Sequence, residues 1–362
     1  MANRRGDVMT AAIPLCVIGA GQIGMRHIEV AQALPSVDLT GVVEPDPSRR
    51  ATLVAQGLPV VAQIADLPLH TKAAVIATPT PQHFSAARAA FERGLAVLVE
   101  KPTGATLNEA RMLIDQAKSL GLPLFTGHHR RCHPFSSAAR DILPKIGQPI
   151  GVQGFWSLRK HDTYYDVPWR CAPGAGPLMT NLSHEIDLLR FLFGDIVETS
   201  AFLSHAARNL QIEDTATLNL RFSSGSLGSF LISDAGASPW AFEAACGENP
   251  DLAVSGQDYI RATGTQGALA FPSLTLWQGS DGTATDWKHP LVRVKGAEFA
   301  AIDPLQEQMR RFAAVVDGGE DNILCSGDDG LAALEISLAA TLSGQTGMPV
   351  RTGSVPGDYT GA

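Results

Sequence analysis

The sequence has no long apolar run. None reaches the ~18–20 residues that a membrane-crossing helix needs, although 45% of its 362 residues are hydrophobic. It also lacks a basic block: Lys and Arg cluster no further than short pairs such as Arg4–Arg5 and Arg49–Arg50, and the net charge is −8. Nucleic-acid binders carry a basic face, so neither a nucleic acid nor a membrane is an expected partner. Cysteine is sparse. Cys16, Cys132, Cys171, Cys246 and Cys325 form no CxxC and no Cys/His cluster with zinc-ligand spacing. The odd count and wide spacing point to reduced thiols, a cytoplasmic protein and no metal site. No apolar segment of the signal-peptide kind follows Arg4–Arg5, so residues 1–12 are expected to form a flexible tail.

What remains is the composition of an ordinary globular protein, at a length that suits two domains. Short apolar strands are expected at 15–18, 39–43, 73–77, 96–99 and 122–125. Helices are expected between them at 23–33, 47–56, 81–93 and 107–120, ending at Pro35, Gly57, Gly94 and Gly121. Strand and helix in strict alternation imply a doubly wound parallel sheet. The rhythm changes near 126–135. A strand at 150–158, a helix at 177–193 and strand-like sequence from 197 to 271 follow, with turns at Ser223-Ser224-Gly225 and Gly264–Gly267. Helices at 304–316 and 328–343 close the chain. The expected fold is α/β: a Rossmann domain over 13–130, then an α+β domain over 131–362 with a large, open, mostly antiparallel sheet for substrate binding and oligomerisation.

Gly19-Ala20-Gly21-Gln22-Ile23-Gly24 is a GxGxxG between a strand and a helix. Gly19 permits the tight turn, Gly21 lets backbone approach a pyrophosphate, and Gly24 allows close helix–strand packing. Gln22 and Ile23 open the helix whose N-terminus would face the phosphates. Glu44 stands twenty residues past Gly24, at the end of the second strand, where a carboxylate accepts the ribose hydroxyls of NAD and repels the 2′-phosphate of NADP. NAD is therefore the expected cofactor and NADP the second candidate. Arg49 and Arg50 could grip a phosphate, but solvated helix surface is the simpler reading.

Val97 to Val99 ends in Glu100-Lys101-Pro102. Ligands in such sheets lie at the carboxyl ends of strands, where a lysine can hydrogen-bond a substrate hydroxyl and favour a developing alkoxide. An exposed loop lysine is the plain alternative. With the GxGxxG, Thr78-Pro79-Thr80-Pro81-Gln82-His83, Gly127 to Pro134, Trp169-Arg170, Gly174 to Gly194 and Gly264–Gly267 in the same order, the chain resembles the Gfo/Idh/MocA oxidoreductases over nearly its whole length. That resemblance implies pyridine-nucleotide redox chemistry on sugars, polyols and cyclitols. It implies cofactor contacts at Thr78, Pro79, His83, Glu100 and Lys101, a catalytic Lys101 and a homodimer or homotetramer.

Within 177–193, Leu178, Leu182, Ile186, Leu189 and Phe193 form an apolar stripe. At about 100° per residue, Thr180 and His184 share the opposite face with Asn181 beside them. The resemblance makes His184 the catalytic base; without it, a helix-surface histidine is an equal reading. Many members carry Asp four residues before this histidine, where this chain has Thr180, which cannot do acid–base work. Asn181 is a candidate for a neutral hydrogen bond to substrate. The loop His161 to Arg170 mixes aromatic and polar groups, and Tyr164, Trp169 and Arg170 are candidate substrate contacts. His128 is another, placed just after the last Rossmann strand. The leading reading is oxidation of a secondary alcohol with hydride transfer to the nicotinamide. The same scaffold leaves open a transient-redox glycosidase, a C=N or C=C reductase, and a nucleotide-sensing regulator without turnover.

Overall fold

The computed structural model describes residues 11–248, 252–280, 285–296, 299 and 302–361. Of the expected tail over 1–12, residues 1–10 lie outside the described residues. Two compact units divide the chain. The first comprises residues 1–104, 111–127 and 305–327; the second comprises 105–110, 128–304 and 328–362.

The first unit is built on six strands: β1 (Ile13–Ile18), β2 (Val37–Val43), β3 (Val60–Val61), β4 (Ala73–Ile76), β5 (Ala96–Val99) and β6 (Leu124–Thr126). They pair in the order β3-β2-β1-β4-β5-β6, every pair parallel. This is the doubly wound Rossmann order, whose direction reverses between β1 and β4. β4 and β5 are buried at every residue, as expected of strands covered on both faces. The helices are α1 (Gln22–Ala33), α2 (Pro47–Ala55), α3 (His83–Glu92) and α4 (Leu107–Leu120). α2 starts where the sequence predicts, because Asp46 caps it by accepting the Arg49 N–H at 2.7 Å and Pro47 occupies its first turn. β3, two residues long, is too short to leave a pattern in the sequence.

Residues of the second unit follow with α5 (Pro134–Ile142), β7 (Pro149–Ser157), α6 (Ser183–Phe193), β8 (Ile196–Ser204), β9 (Thr215–Phe222), β10 (Leu227–Ser233) and α7 (Phe242–Cys246). Then come β11 (Ile260–Gly264), β12 (Gly267–Phe271), β13 (Leu276–Gln278) and β14 (Val292–Val294), and, after α8 (Pro304–Val316), which belongs to the first unit from Leu305 on, α9 (Gly327–Thr346) and β15 (Val350–Arg351). Nine strands form one sheet in the order β14-β13-β12-β11-β7-β10-β9-β8-β15. Its pairs are antiparallel except β7 with β10. β9 alternates buried and exposed residues, so one face meets a core containing Trp156, Leu182, Ile186, Leu218, Phe230 and Phe242. Both predicted turns are hairpins, joining β9 to β10 and β11 to β12. Among the described residues, no helix is long and apolar enough to cross a membrane.

The helix expected over 177–193 forms, but its first turns are not regular α. Leu178–Leu182 is a wide π turn, and regular α geometry begins at Ser183. Glu213 accepts the Leu178 N–H at 3.0 Å, and the Thr180 hydroxyl lies 3.0 Å from the Gly176 carbonyl, so side chains compete with the main-chain ladder at this end. The 100° spacing that set Thr180 and His184 on one face therefore does not run through. The apolar stripe does persist: Leu178, Leu182, Ile186 and Leu189 are buried, and Phe193 packs on the core from its edge.

Candidate active site

In the first unit the site is mostly main chain. Gly19 has φ +96°, and a Cβ there would lie 2.8 Å from the Ala77 carbonyl oxygen, so the turns after β1 and β4 touch. Only glycine meets both demands. A Cβ at Gly24 would overlap the Gly19 carbonyl oxygen, whereas one at Gly21 would meet nothing within 4 Å. Gly21 thus precedes α1 beside open space, where the first N–H groups of the helix are available to a phosphate. Gln22 is the first residue of α1, and Ile23 beside it is 38% exposed. A cavity of about 400 Å³ opens here, lined by Gly19, Val43, Pro45, Gln63, Thr78 and Ser85 among others. Thr78 Oγ1 is buried with no hydrogen-bond partner among the described residues. An open glycine cradle and an orphaned hydroxyl fit a dinucleotide.

Glu44, buried at the end of β2, accepts the Asp46 N–H at 3.0 Å and lies 3.7 Å from Arg49 Nε. The Arg49 guanidinium also donates to the Ala20 carbonyl, and Arg50 donates to the carbonyls of Glu44 and Pro45 at 3.0 and 2.6 Å. The arginine pair is therefore not simply solvated helix surface. It ties the acidic strand end to the glycine turn.

The turn after β5 is held from several sides. Glu100 is buried, its Oε1 2.8 Å from His27 Nε2 on α1, and its Oε2 accepts the Lys101 N–H at 3.2 Å. The Lys101–Pro102 peptide is cis. His83 presents Nδ1 to the Pro102 carbonyl at 2.8 Å and Nε2 to the Thr78 carbonyl at 2.9 Å, joining Thr78-Pro79 to Pro102. Burial lowers its pKa against the pull of both carbonyls, and a neutral ring, with one N–H, donates to one of the two. His83 thus acts on backbone. His27 was not legible as a site residue: a lone histidine three positions past Gly24 gives no signal until Glu100 meets it.

In the second unit the site is side chain upon side chain. The His184 ring lies edge-on to His128 at 5.3 Å between centroids and 5.2 Å from His129. His129 Nε2 is 3.3 Å from a Glu248 carboxylate oxygen. Next to His184, Glu185 pairs with Arg130, which also binds Glu243 at 2.6 Å. Burial pushes Glu185 up to about 7 against the pull of Arg130. Asp187 holds Arg131 through two bonds of 2.6 and 2.7 Å, so this carboxylate serves a buried ion pair.

Around Tyr164 the chain gathers a polar cluster that the sequence did not reveal. Lys160 Nζ lies 3.3 Å from Asp234 and donates to Asn181 Oδ1 at 3.1 Å, 4.8 Å from the Tyr164 ring centroid. The Thr180 hydroxyl is 2.9 Å from the same Asn181 oxygen. The Arg170 guanidinium stacks over Tyr164 at 4.1 Å and near Trp169 at 5.5 Å. Trp169 itself is 60% exposed. Burial lowers the Lys160 pKa, opposed by Asp234. Lys160, a residue that reads from sequence as a surface lysine, thus joins Asn181 to Tyr164, and Tyr164 in turn carries Arg170 with Trp169 beside it.

Comparison with known proteins matches this architecture. Residues 13–128 match the family described as "Oxidoreductase family, NAD-binding Rossmann fold", and residues 139–270 match the GFO/IDH/MocA C-terminal domain. The scyllo-inositol 2-dehydrogenase (NAD(+)) of Bacillus subtilis is 26% identical over 98% of this chain and 100% of its own. The D-apiose dehydrogenase of Paraburkholderia graminis is 26% identical over 94% of this chain and 89% of its own. The fold is similar to an oxidoreductase from Agrobacterium radiobacter solved with NAD+, L-tartaric acid and magnesium: TM-score 0.77 at 18% identity, covering 96% of this chain and 100% of the other. With both halves of one architecture matched in order, the chain belongs to the GFO/IDH/MocA oxidoreductase family, with its NAD-binding Rossmann domain at residues 13–128.

Proposed function

We propose that the protein oxidises a secondary alcohol of a sugar, polyol or cyclitol, with NAD as hydride acceptor. The observation that carries this reading is Lys101, fixed at its main chain by the buried Glu100 at a Rossmann strand end. Residues 13–130 bind the cofactor and 131–362 bind substrate and form subunit contacts. The α1 N-terminus and Gly21 receive the pyrophosphate, Thr78 and Pro79 border the dinucleotide, and Glu44 accepts the ribose hydroxyls. Bound NAD supplies the two-electron acceptor. The Lys101 ammonium donates to the reacting oxygen and lowers the hydroxyl pKa. His184 accepts the hydroxyl proton at its imidazole. His128, Tyr164, Trp169, Arg170 and Asn181 orient the substrate.

The inositol and apiose dehydrogenase relatives support this substrate class. The free cysteines suit a cytoplasmic location. Outward-facing Ile150, Phe202 and Leu227, 54%, 75% and 53% exposed on the second sheet, suit a homodimer or homotetramer formed through it.

Absorbance of reduced nicotinamide, followed across polyols and aldoses with NAD and with NADP, tests the reading. Lys101→Ala should lower kcat/KM by about 10²–10⁴-fold while NAD affinity stays nearly intact. Normal turnover in that variant would remove Lys101 from the chemistry.

A further inference from the structure

The cluster around Tyr164 is rich in hydrogen-bond donors. An ammonium has three N–H groups and no acceptor. Lys160 directs one toward Asp234 and one to Asn181, leaving a third. Because a lysine can only donate, the Asn181 atom facing it is the carbonyl oxygen, and that oxygen is also near the Thr180 hydroxyl. The amide NH2 of Asn181 is then the end left for a ligand. Arg170 spends one N–H on the Tyr164 carbonyl at 3.1 Å. Its Nε is buried with no hydrogen-bond partner among the described residues. Arg170 makes no ion pair among those residues.

Asp234 is paired with cations of this chain and Glu213 is tied to main chain. Asp234, 1% exposed, faces the Tyr165 hydroxyl at 2.5 Å, Lys160 at 3.3 Å and Arg208 Nε at 3.5 Å. Glu213 accepts the Leu178 N–H. A sugar hydroxyl both donates and accepts, whereas a carboxylate only accepts and matches a guanidinium fork. We propose that Lys160, Arg170 and the Asn181 amide bind a carboxylate of the substrate, so that the preferred substrate is an acidic polyhydroxy compound, of the aldonate or uronate class, rather than a neutral polyol. This rests on the dehydrogenase reading and narrows it.

The test compares gluconate and glucuronate with sorbitol and glucose, as substrates of the NAD-loaded protein and as ligands of the NADH-loaded protein by calorimetry. Charged hydrogen bonds of this kind are worth about 10–100-fold in affinity, so an acid should outbind its neutral counterpart by at least about tenfold. Arg170→Gln and Lys160→Met should abolish that ratio, and Arg170→Lys should restore part of it. Melting temperature and NAD affinity report whether each variant is folded. Equal or better binding of the neutral compounds, failure of both acids to bind, or an unchanged ratio in folded Arg170→Gln would overturn the proposal. Efficient oxidation of neutral polyols with no acid preference would do so while leaving the dehydrogenase reading intact. Acid binding without turnover of any alcohol would instead strike the dehydrogenase reading.

Discussion

The two units build their candidate sites from opposite materials. In the first, the groups that matter are peptide N–H and C=O and the absence of side chains, at Gly19, Gly21 and Gly24. In the second they are long polar side chains paired across the sequence: Arg131 with Asp187, Arg130 with Glu185, Lys160 with Asp234. A backbone site is set by local conformation and is spoiled by adding atoms. A site of buried ion pairs is set by tertiary packing and is spoiled by removing them.

The largest effect should therefore come from subtraction in the second unit. Arg131 is 4% exposed and Asp187 1%, so Arg131→Leu leaves a buried carboxylate without its main counter-charge. Such breaks cost about 3–5 kcal/mol. The paired Arg131→Leu/Asp187→Leu change should cost clearly less, since neither charge is then stranded. Denaturant unfolding of the two variants checks this, and an equal loss in both would show that packing rather than charge is what matters.

Addition in the first unit should act differently at neighbouring glycines. Gly19→Ala forces a Cβ against Ala77 at positive φ and should cost about 1–3 kcal/mol of stability. Gly21→Val meets no atom of the folded chain at its Cβ position. Stability should hold within about 0.5 kcal/mol, while NAD affinity falls by roughly a hundredfold or more as the cradle is filled. Equal NAD affinity in wild type and Gly21→Val would mean that the pyrophosphate lies elsewhere.

The same contrast governs what could be read in advance. The glycine turn, the strands at β1, β2, β4 and β5, and Glu100-Lys101 are local signals, and they stand where the sequence puts them. Lys160 carried no signal, because its meaning depends on Asp234, 74 positions later, and on a π turn that brings Asn181 to it. His27 was silent for the same reason, with Glu100 far along the chain. The two-residue strands β3 and β15 exist only through their neighbours. Thr180 was singled out as a departure from its relatives, but only the structure shows its hydroxyl turned to Gly176 and Asn181.

The smallest expected effect sharpens the comparison through pH. His133 stacks on Phe135 at 3.6 Å between centroids, and burial pushes its pKa down to about 4, with Glu248 pulling the other way. In the unfolded chain the imidazole titrates near ~6.5. Between those values only the unfolded chain binds the proton, so stability falls as pH drops from about 6.5 and levels off below about 4. Glu185, raised to about 7, has the opposite sign: its native state holds the proton more tightly, so its contribution falls as pH rises from about 4.5 to 7. The wild-type slope is a sum of both. The difference between wild type and His133→Gln isolates the imidazole, because Glu185 is present in each. Urea unfolding at pH 7.5 and at pH 5 should show the variant gaining on wild type at the lower pH, by at most about 2 kcal/mol. Parallel pH curves for the two proteins would mean that water reaches the His133 ring.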